Sequence, residues 1–149
     1  MKWIIIVDID GTIARVGDRL KYLKQNPVDW DSFYEACFDD EPISEMIQLV
    51  EVLSQFNRIV FCTGRRESCR EKTLKWIDKH FEPEMNKCST LLMRKNDDHR
   101  HDTEVKPELL RENGIGLETI AFVLEDRNSM VKKWRDLGLI CLQVAEGDF

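Results

Sequence analysis

The chain is short of the residues that build several common kinds of site. Its seven glycines are scattered over 149 residues and nowhere form the G-x-x-x-x-G-K-[ST] loop that cradles nucleotide phosphates, which excludes a kinase of that type. Five cysteines, Cys37, Cys62, Cys69, Cys88 and Cys141, are odd in number and contain no C-x-x-C pair, so neither a disulfide framework nor a zinc knuckle is expected, only reduced thiols. Two of the three histidines fall in His99-Arg100-His101-Asp102, a polar stretch that reads as a solvated loop before it reads as a transition-metal site. No apolar run approaches the length of a membrane span, and the N-terminal run is too short for a signal peptide core, so a soluble cytoplasmic protein is expected. Cationic excess is also missing. A formal net charge of -6 gives no general attraction for a polyanion, and contact with nucleic acid would need a local basic patch or a bound cation.

What is present is a hydrophobic content of 42%, enough at this length to bury one core, and a single domain over 1–149 is expected. Trp3 to Val7 is a continuous apolar, β-branched run, the pattern of a strand buried on both faces. Similar runs recur at 58–62, 90–93, 120–124 and 140–144, separated by segments of helical periodicity. This alternation predicts an α/β doubly wound, three-layer sandwich around a mostly parallel five-stranded sheet. Ile43, Met46, Ile47, Val50 and Leu53 make one helical stripe. Ser68-x-x-Glu71 predicts a capping box before a second helix, Pro107 the first turn of a third ending near Asn113-Gly114, and Asn128 the cap of a fourth ended by Gly138. Residues 17–41 fit neither pattern and read as a small cap-like insertion after the first strand. Trp30, Phe33, Tyr34 and Phe38 within it have the spacing of a helical face packed on the core, a reading favoured over base stacking.

Chemistry-bearing residues gather at the predicted carboxyl ends of strands: Asp8 and Asp10, Thr63-Gly64-Arg65, and Glu125-Asp126, with Lys106 beyond the third run. That edge of an open α/β sheet is where ligands bind. Asp8 and Asp10, two apart in an extended chain, face one side, and Gly11 lets the chain turn away. So many carboxylates together call for a hard divalent cation, and an oxygen donor set without His or Cys suits Mg2+. A carboxylate can attack a phosphate so held, with Asp10 protonating the leaving oxygen and then deprotonating water. Thr63 and Lys106 offer the hydroxyl donor and fixed cation that the transferring oxygens require.

The motifs Asp8-Ile9-Asp10-Gly11-Thr12, Thr63, Lys106 and Glu125-Asp126 resemble those of the haloacid dehalogenase superfamily of phosphatases. Gly64-Arg65, Arg100 to Lys106 and the ending Gln143-Val144-Ala145-x-Gly147-Asp148-Phe149 narrow the resemblance to the phosphatase domain of the polynucleotide kinase/phosphatases of T-even phages. It implies Asp8 as nucleophile and metal ligand, Asp10 as acid/base and ligand through its carbonyl, Asp126 as a further ligand, and Glu125 orienting that shell. It puts Thr63 and Lys106 on the phosphate and offers Arg19, Gly64, Arg65 and Asp102 for substrate binding. Since the kinase loop is lacking, the resemblance implies phosphate removal alone, with a kinase or ligase as a separate partner. The fourth motif reads Glu-Asp where that phage domain has two aspartates.

The small insertion leaves the site open, which favours a large substrate: a polynucleotide end, and by the resemblance its 3'-phosphate. The acidic net charge favours the alternative, a phosphatase of mononucleotides or another small ester. A non-catalytic phosphate-binding subunit is the third reading, and it leaves Asp8, Asp10, Thr63 and Lys106 without a purpose.

Overall fold

The five apolar runs become the five strands of one sheet. The computed structural model describes residues 3–149. In chain order the sheet strands are β1 (Ile4–Val7), β4 (Arg58–Arg66), β5 (Thr90–Arg94), β6 (Ile120–Arg127) and β7 (Cys141–Gly147), the numbers β2 and β3 belonging to a separate ribbon, Ala14–Arg15 and Glu41–Pro42. The spatial order is β5-β4-β1-β6-β7, and every pairing in it is parallel, so no antiparallel edge occurs in this sheet.

The pleat of β1 divides the core. Ile5 and Val7 point with Ile59 and Phe61 toward α3 (Ser44–Ser54), α4 (Arg70–His80) and α5 (Pro83–Cys88). Ile4 and Ile6 point with Val60 and Val123 toward α6 (Asp102–Glu112) and α7 (Asn128–Asp136). Cover on both faces is why β1 and the first parts of β4, β5 and β6 read as apolar runs, whereas β7, at the edge, is mostly exposed. From β1 the chain winds outward to β4 and β5, returns to β6 at the other side of β1, and ends at β7. The direction of winding therefore reverses at β1, and a crevice opens at the carboxyl ends of the strands there.

The predicted insertion stands on a stem. β2 and β3 pair antiparallel, Ala14 opposite Pro42 and Arg15 opposite Glu41. Between them lie α1 (Leu20–Leu23), α2 (Trp30–Glu35) and a 3-10 turn, Ala36–Asp39. Asp29 caps α2 by accepting from the Ser32 N–H at 3.0 Å.

Three helix starts differ from expectation. Ser68 forms no capping box: β4 runs on to Arg66, Ser68 falls in a 3-10 turn, and its N–H goes to Asn96 Oδ1 at 2.8 Å. Pro107 lies inside α6, because His101 caps that helix from earlier in the chain, accepting from the Thr103 N–H at 3.2 Å. Asn128 is the first residue of α7 and not its cap; its Oδ1 accepts from Gln143 Nε2 at 2.6 Å and from the Gly147 N–H at 3.3 Å, tying the helix to β7. The helix ends are as expected, with Gly114 and Gly138 in the left-handed region (φ 69° and 86°) that relieves the last carbonyls. No helix among the described residues is long and apolar enough to cross a membrane.

Candidate active site

The centre of the site is a buried knot of charge at the end of β1. Lys106 Nζ donates to Asp8 Oδ1 at 2.7 Å and to Glu125 Oε2 at 2.8 Å, so one cation from α6 bridges the ends of β1 and β6. The other Asp8 oxygen accepts from Thr12 Oγ1 at 3.0 Å. Asp126 lies against this pair: Asp8, Glu125 and Asp126 each present an oxygen within 4.8 Å of the others. Glu125 Oε1 takes the backbone N–H groups of Asp126 and Arg127 at 3.3 and 3.4 Å, which holds the chain as it leaves the strand.

This crowding has an electrostatic cost. Burial, then the Glu125 charge, pushes the Asp8 carboxyl up to about 7 against the pull of Lys106. Burial and the Asp8 charge push Asp126 up to about 7 as well. Gly11 makes the approach possible: with φ at 84°, a Cβ there would stand 2.0 Å from Asp126 Oδ2. Three converging hard oxygens, with one lysine for countercharge, are a donor set that fits Mg2+.

Asp10 lines the same cleft as Asp8 but is held by a different set of partners. Its carboxylate receives Arg65 Nη2 at 2.6 Å and Arg19 Nη2 at 2.6 Å. Burial works against its charge, but the two guanidiniums outweigh it and hold the carboxyl down at about 2. Asp40 closes the network, accepting from Arg19 Nε at 2.8 Å and from Arg65 Nη2 at 3.0 Å. The Asp40 carbonyl in turn accepts from Trp76 Nε1 of α4 at 2.7 Å.

The opposite wall is built on β4 and α6. Thr63 is buried, and its Oγ1 accepts from the Arg65 N–H at 3.1 Å, leaving its proton free for another acceptor. Gly64 admits Asp102, whose Oδ1 would be 2.6 Å from a Cβ at that position. Arg94 and Arg127 grip Asp102, the latter through Nη1 at 2.9 Å. Burial opposes the Asp102 charge, while Lys106, Arg94 and Arg127 more than offset it and keep its carboxyl below the usual range.

The two carboxylate groups and the β4 wall border one cleft of about 910 Å³. Of the residues expected from sequence, Asp8, Asp10, Thr63, Gly64, Arg65, Asp102, Lys106, Glu125 and Asp126 line it. Arg19 does not line it; it is 2% exposed and lies behind Asp10. The structure adds Thr12 and Asp40 to the site's internal bonding. It also corrects the reading of the aromatics. Tyr34 and Phe38 pack against the core and Phe33 is buried, as expected, but Trp30 is 44% exposed, and Trp30, Phe33 and Tyr34 all line the cleft. The helix ends at Glu35, so the four do not share one helical face.

Residues 2–149 match the family model of the polynucleotide kinase PNKP phosphatase domain. Among solved structures, a chain of the Pnkp1/Rnl/Hen1 RNA repair complex is 28% identical, with a TM-score of 0.81 over 99% of this chain and 44% of that one. A haloacid dehalogenase-like hydrolase of Streptococcus pneumoniae is 15% identical, with a TM-score of 0.67 over 95% of this chain and 84% of that one, and shares the fold. So does an enzyme of that family from Bacteroides thetaiotaomicron, in complex with magnesium and inorganic phosphate, 12% identical with a TM-score of 0.56 over 100% and 97%. The chain spans less than half the length of the Pnkp1/Rnl/Hen1 complex chains it matches. A match over nearly its whole length, with the four motifs brought to one cleft by three strands and α6, makes the chain a haloacid dehalogenase-type phosphatase belonging to the family of polynucleotide kinase PNKP phosphatase domains.

Proposed function

We propose that the chain is a single magnesium-dependent phosphatase domain that removes terminal 3'-phosphates from polynucleotides through an aspartyl-phosphate on Asp8. The observation that carries this reading is the position of Asp8: it sits at the end of the central strand, bridged to Glu125 by Lys106 and lining a cleft of about 910 Å³. The family supports a polynucleotide substrate. So does the RNA repair complex containing the similar chain, and a kinase or ligase acting on the same ends is the partner class that follows. Five unpaired cysteines agree with a reducing cytoplasm.

Asp8 attacks phosphorus as the bond to the ester oxygen breaks, and that oxygen takes a proton from Asp10. Water then attacks the aspartyl-phosphate, Asp10 accepts its proton, and phosphate leaves as the Asp8 carboxylate is restored. Asp10 rests ionised, the form the water step needs. The first step needs its protonated form, which requires Arg65 and Arg19 to relax their hold. Phosphate oxygens of an arriving strand are competing acceptors for the donors of Arg65, which lines the cleft, while Arg19, behind Asp10, acts through its hold on that carboxylate. Thr63 and Lys106 bind phosphoryl oxygens, and the Gly64 and Asp102 contact shapes the wall beside them. Mg2+ would be held by Asp8, Asp126 and the Asp10 carbonyl, oriented by Glu125, and would neutralise charge on the phosphoryl oxygens.

The test is phosphate release, with and without Mg2+, from a 3'-phosphorylated oligonucleotide, its 5'-phosphorylated counterpart, and free 3'- and 5'-mononucleotides. Asp8→Asn is expected to abolish turnover while preserving the fold, and near-normal turnover by this variant would overturn the nucleophile assignment. Preference for the 3'-phosphorylated oligonucleotide is the expected result. Equal or better use of mononucleotides would instead support nucleotide metabolism, the reading that the net charge of -6 favours.

A further inference from the structure

The insertion lays an aromatic surface along the same cleft as Asp8. Phe33 anchors it from beneath, 8% exposed, with the Arg19 guanidinium 4.3 Å from its ring centroid. Above it the Trp30 and Tyr34 rings lie nearly parallel, at 22° and 6.1 Å between centroids. Packing explains Phe33 but not Trp30, which remains 44% exposed on the wall of a phosphate site. A second observation points to a ligand. The guanidinium of Arg66 stands 5.3 Å from the Tyr34 ring centroid, on the cleft wall, and its buried Nε has no hydrogen-bond partner among the described residues. Its nearest carboxylate, Asp31, is almost fully exposed and lies 3.8 Å from Nη1, beyond hydrogen-bonding distance.

Flat apolar rings beside a cation with unused donors, both continuous with a phosphate site, match the chemistry of a nucleotide: a π-face, and an anion one sugar away. We infer that α2 is the base platform of the substrate site, on which the nucleobase of the terminal nucleotide stacks against Trp30 and Tyr34 while Arg66 pairs with the adjoining phosphodiester. This rests on the polynucleotide reading above and names what recognises the strand. The platform selects for a base and not for its identity, since stacking is sequence-tolerant.

The experiment compares KM for a 3'-phosphorylated oligonucleotide ending in an ordinary nucleotide with KM for the same oligonucleotide ending in an abasic 3'-phosphorylated sugar, and includes glycerol 2-phosphate as an ester without sugar or base. The native protein is expected to prefer the base-bearing end, and Trp30→Ala or Tyr34→Ala to reduce that preference about tenfold. Trp30→Phe should restore part of it, and Arg66→Gln should flatten the salt dependence of KM for both oligonucleotides. Equal KM for base-bearing and abasic ends in the native protein, or an undiminished preference in Trp30→Ala, overturns the platform alone; the second result would leave the aromatics as a surface for another protein. Turnover of glycerol 2-phosphate with none of either oligonucleotide overturns the polynucleotide reading and the platform together.

Discussion

Asp40 touches no phosphate and belongs to none of the four motifs, yet two buried guanidiniums depend on it. Arg19 and Arg65 share two carboxylates, Asp10 and Asp40, at distances of 2.6 to 3.0 Å in their closest contacts. Asp40→Asn would leave both arginines on Asp10 with a positive charge uncompensated in the interior. Breaking a buried ionic network in this way costs about 3–5 kcal/mol. The expected outcome is a lower urea midpoint together with a reduced kcat, since guanidiniums drawn harder onto Asp10 oppose its taking up a proton; a variant of native stability and native kcat would show the network to be dispensable. Asp8, Asp10 and Gly11 were legible in sequence because their relation is local: two residues of extended chain and one turn. Asp40 was not, because its meaning lies in contacts 21 and 25 residues away. Arg19 was visible only through resemblance, and its place behind Asp10 depends on how the insertion folds back.

At the scale of elements, the strands were legible and the helix starts were not. Cover on both faces writes β1, β4, β5 and β6 as apolar runs, while the edge strand β7 is mostly exposed and is marked only by the short run 140–144. The polar ends of those strands carry no such signature. β4 continues through Thr63, Gly64, Arg65 and Arg66, and this extension displaces the start of α4 past the Ser68 motif. The spacing of Trp30, Phe33 and Tyr34 encodes a helix but not which surface it faces, and here Tyr34 packs on the core while all three border the cleft. The close approach of β7 to β6 is equally invisible in sequence. At Gly147 a Cβ would meet the Asp126 carbonyl oxygen at 2.6 Å and Arg127 Cα at 2.9 Å, both backbone atoms. Gly147→Ala must therefore push β7 away from the strand end that carries Asp126, an overpacking penalty of about 1–3 kcal/mol. Its expected signature is a lower melting temperature together with weaker Mg2+ dependence of turnover, and loss of stability with unchanged Mg2+ dependence would separate β7 from the site.

For the molecule as a whole, the carboxylate knot ties stability to pH and, under the proposed metal assignment, to divalent cations. Asp8 and Asp126 have folded values near 7 against an ordinary value of 3.8. Between those limits the folded chain binds more protons than the unfolded one, so their contribution falls as pH rises from about 4 to 7. Asp10 has the opposite sign: held at about 2, it contributes stability above pH 4 that is lost as pH falls toward 2. Without divalent cations the melting temperature should accordingly fall between pH 5 and 8. Under the proposed assignment Mg2+ would bind the ionised carboxylates, so the rise it produces should be larger at pH 8 than at pH 5. A Mg2+-induced shift that is independent of pH, measured by calorimetry, would place the cation elsewhere.

The antiparallel ribbon of β2 and β3 has a consequence for descent. Both chain crossings into the insertion meet at Ala14 and Pro42, so the base platform hangs from the sheet as an exchangeable cassette. One insertion or deletion event in a gene could replace it without moving a strand. The exchange is constrained at one point, for the cassette also supplies Arg19 and Asp40. A successor must bring its own matched pair of opposite charges to the same spot, so under the proposed mechanism substrates could change far more readily than the partners of Asp10.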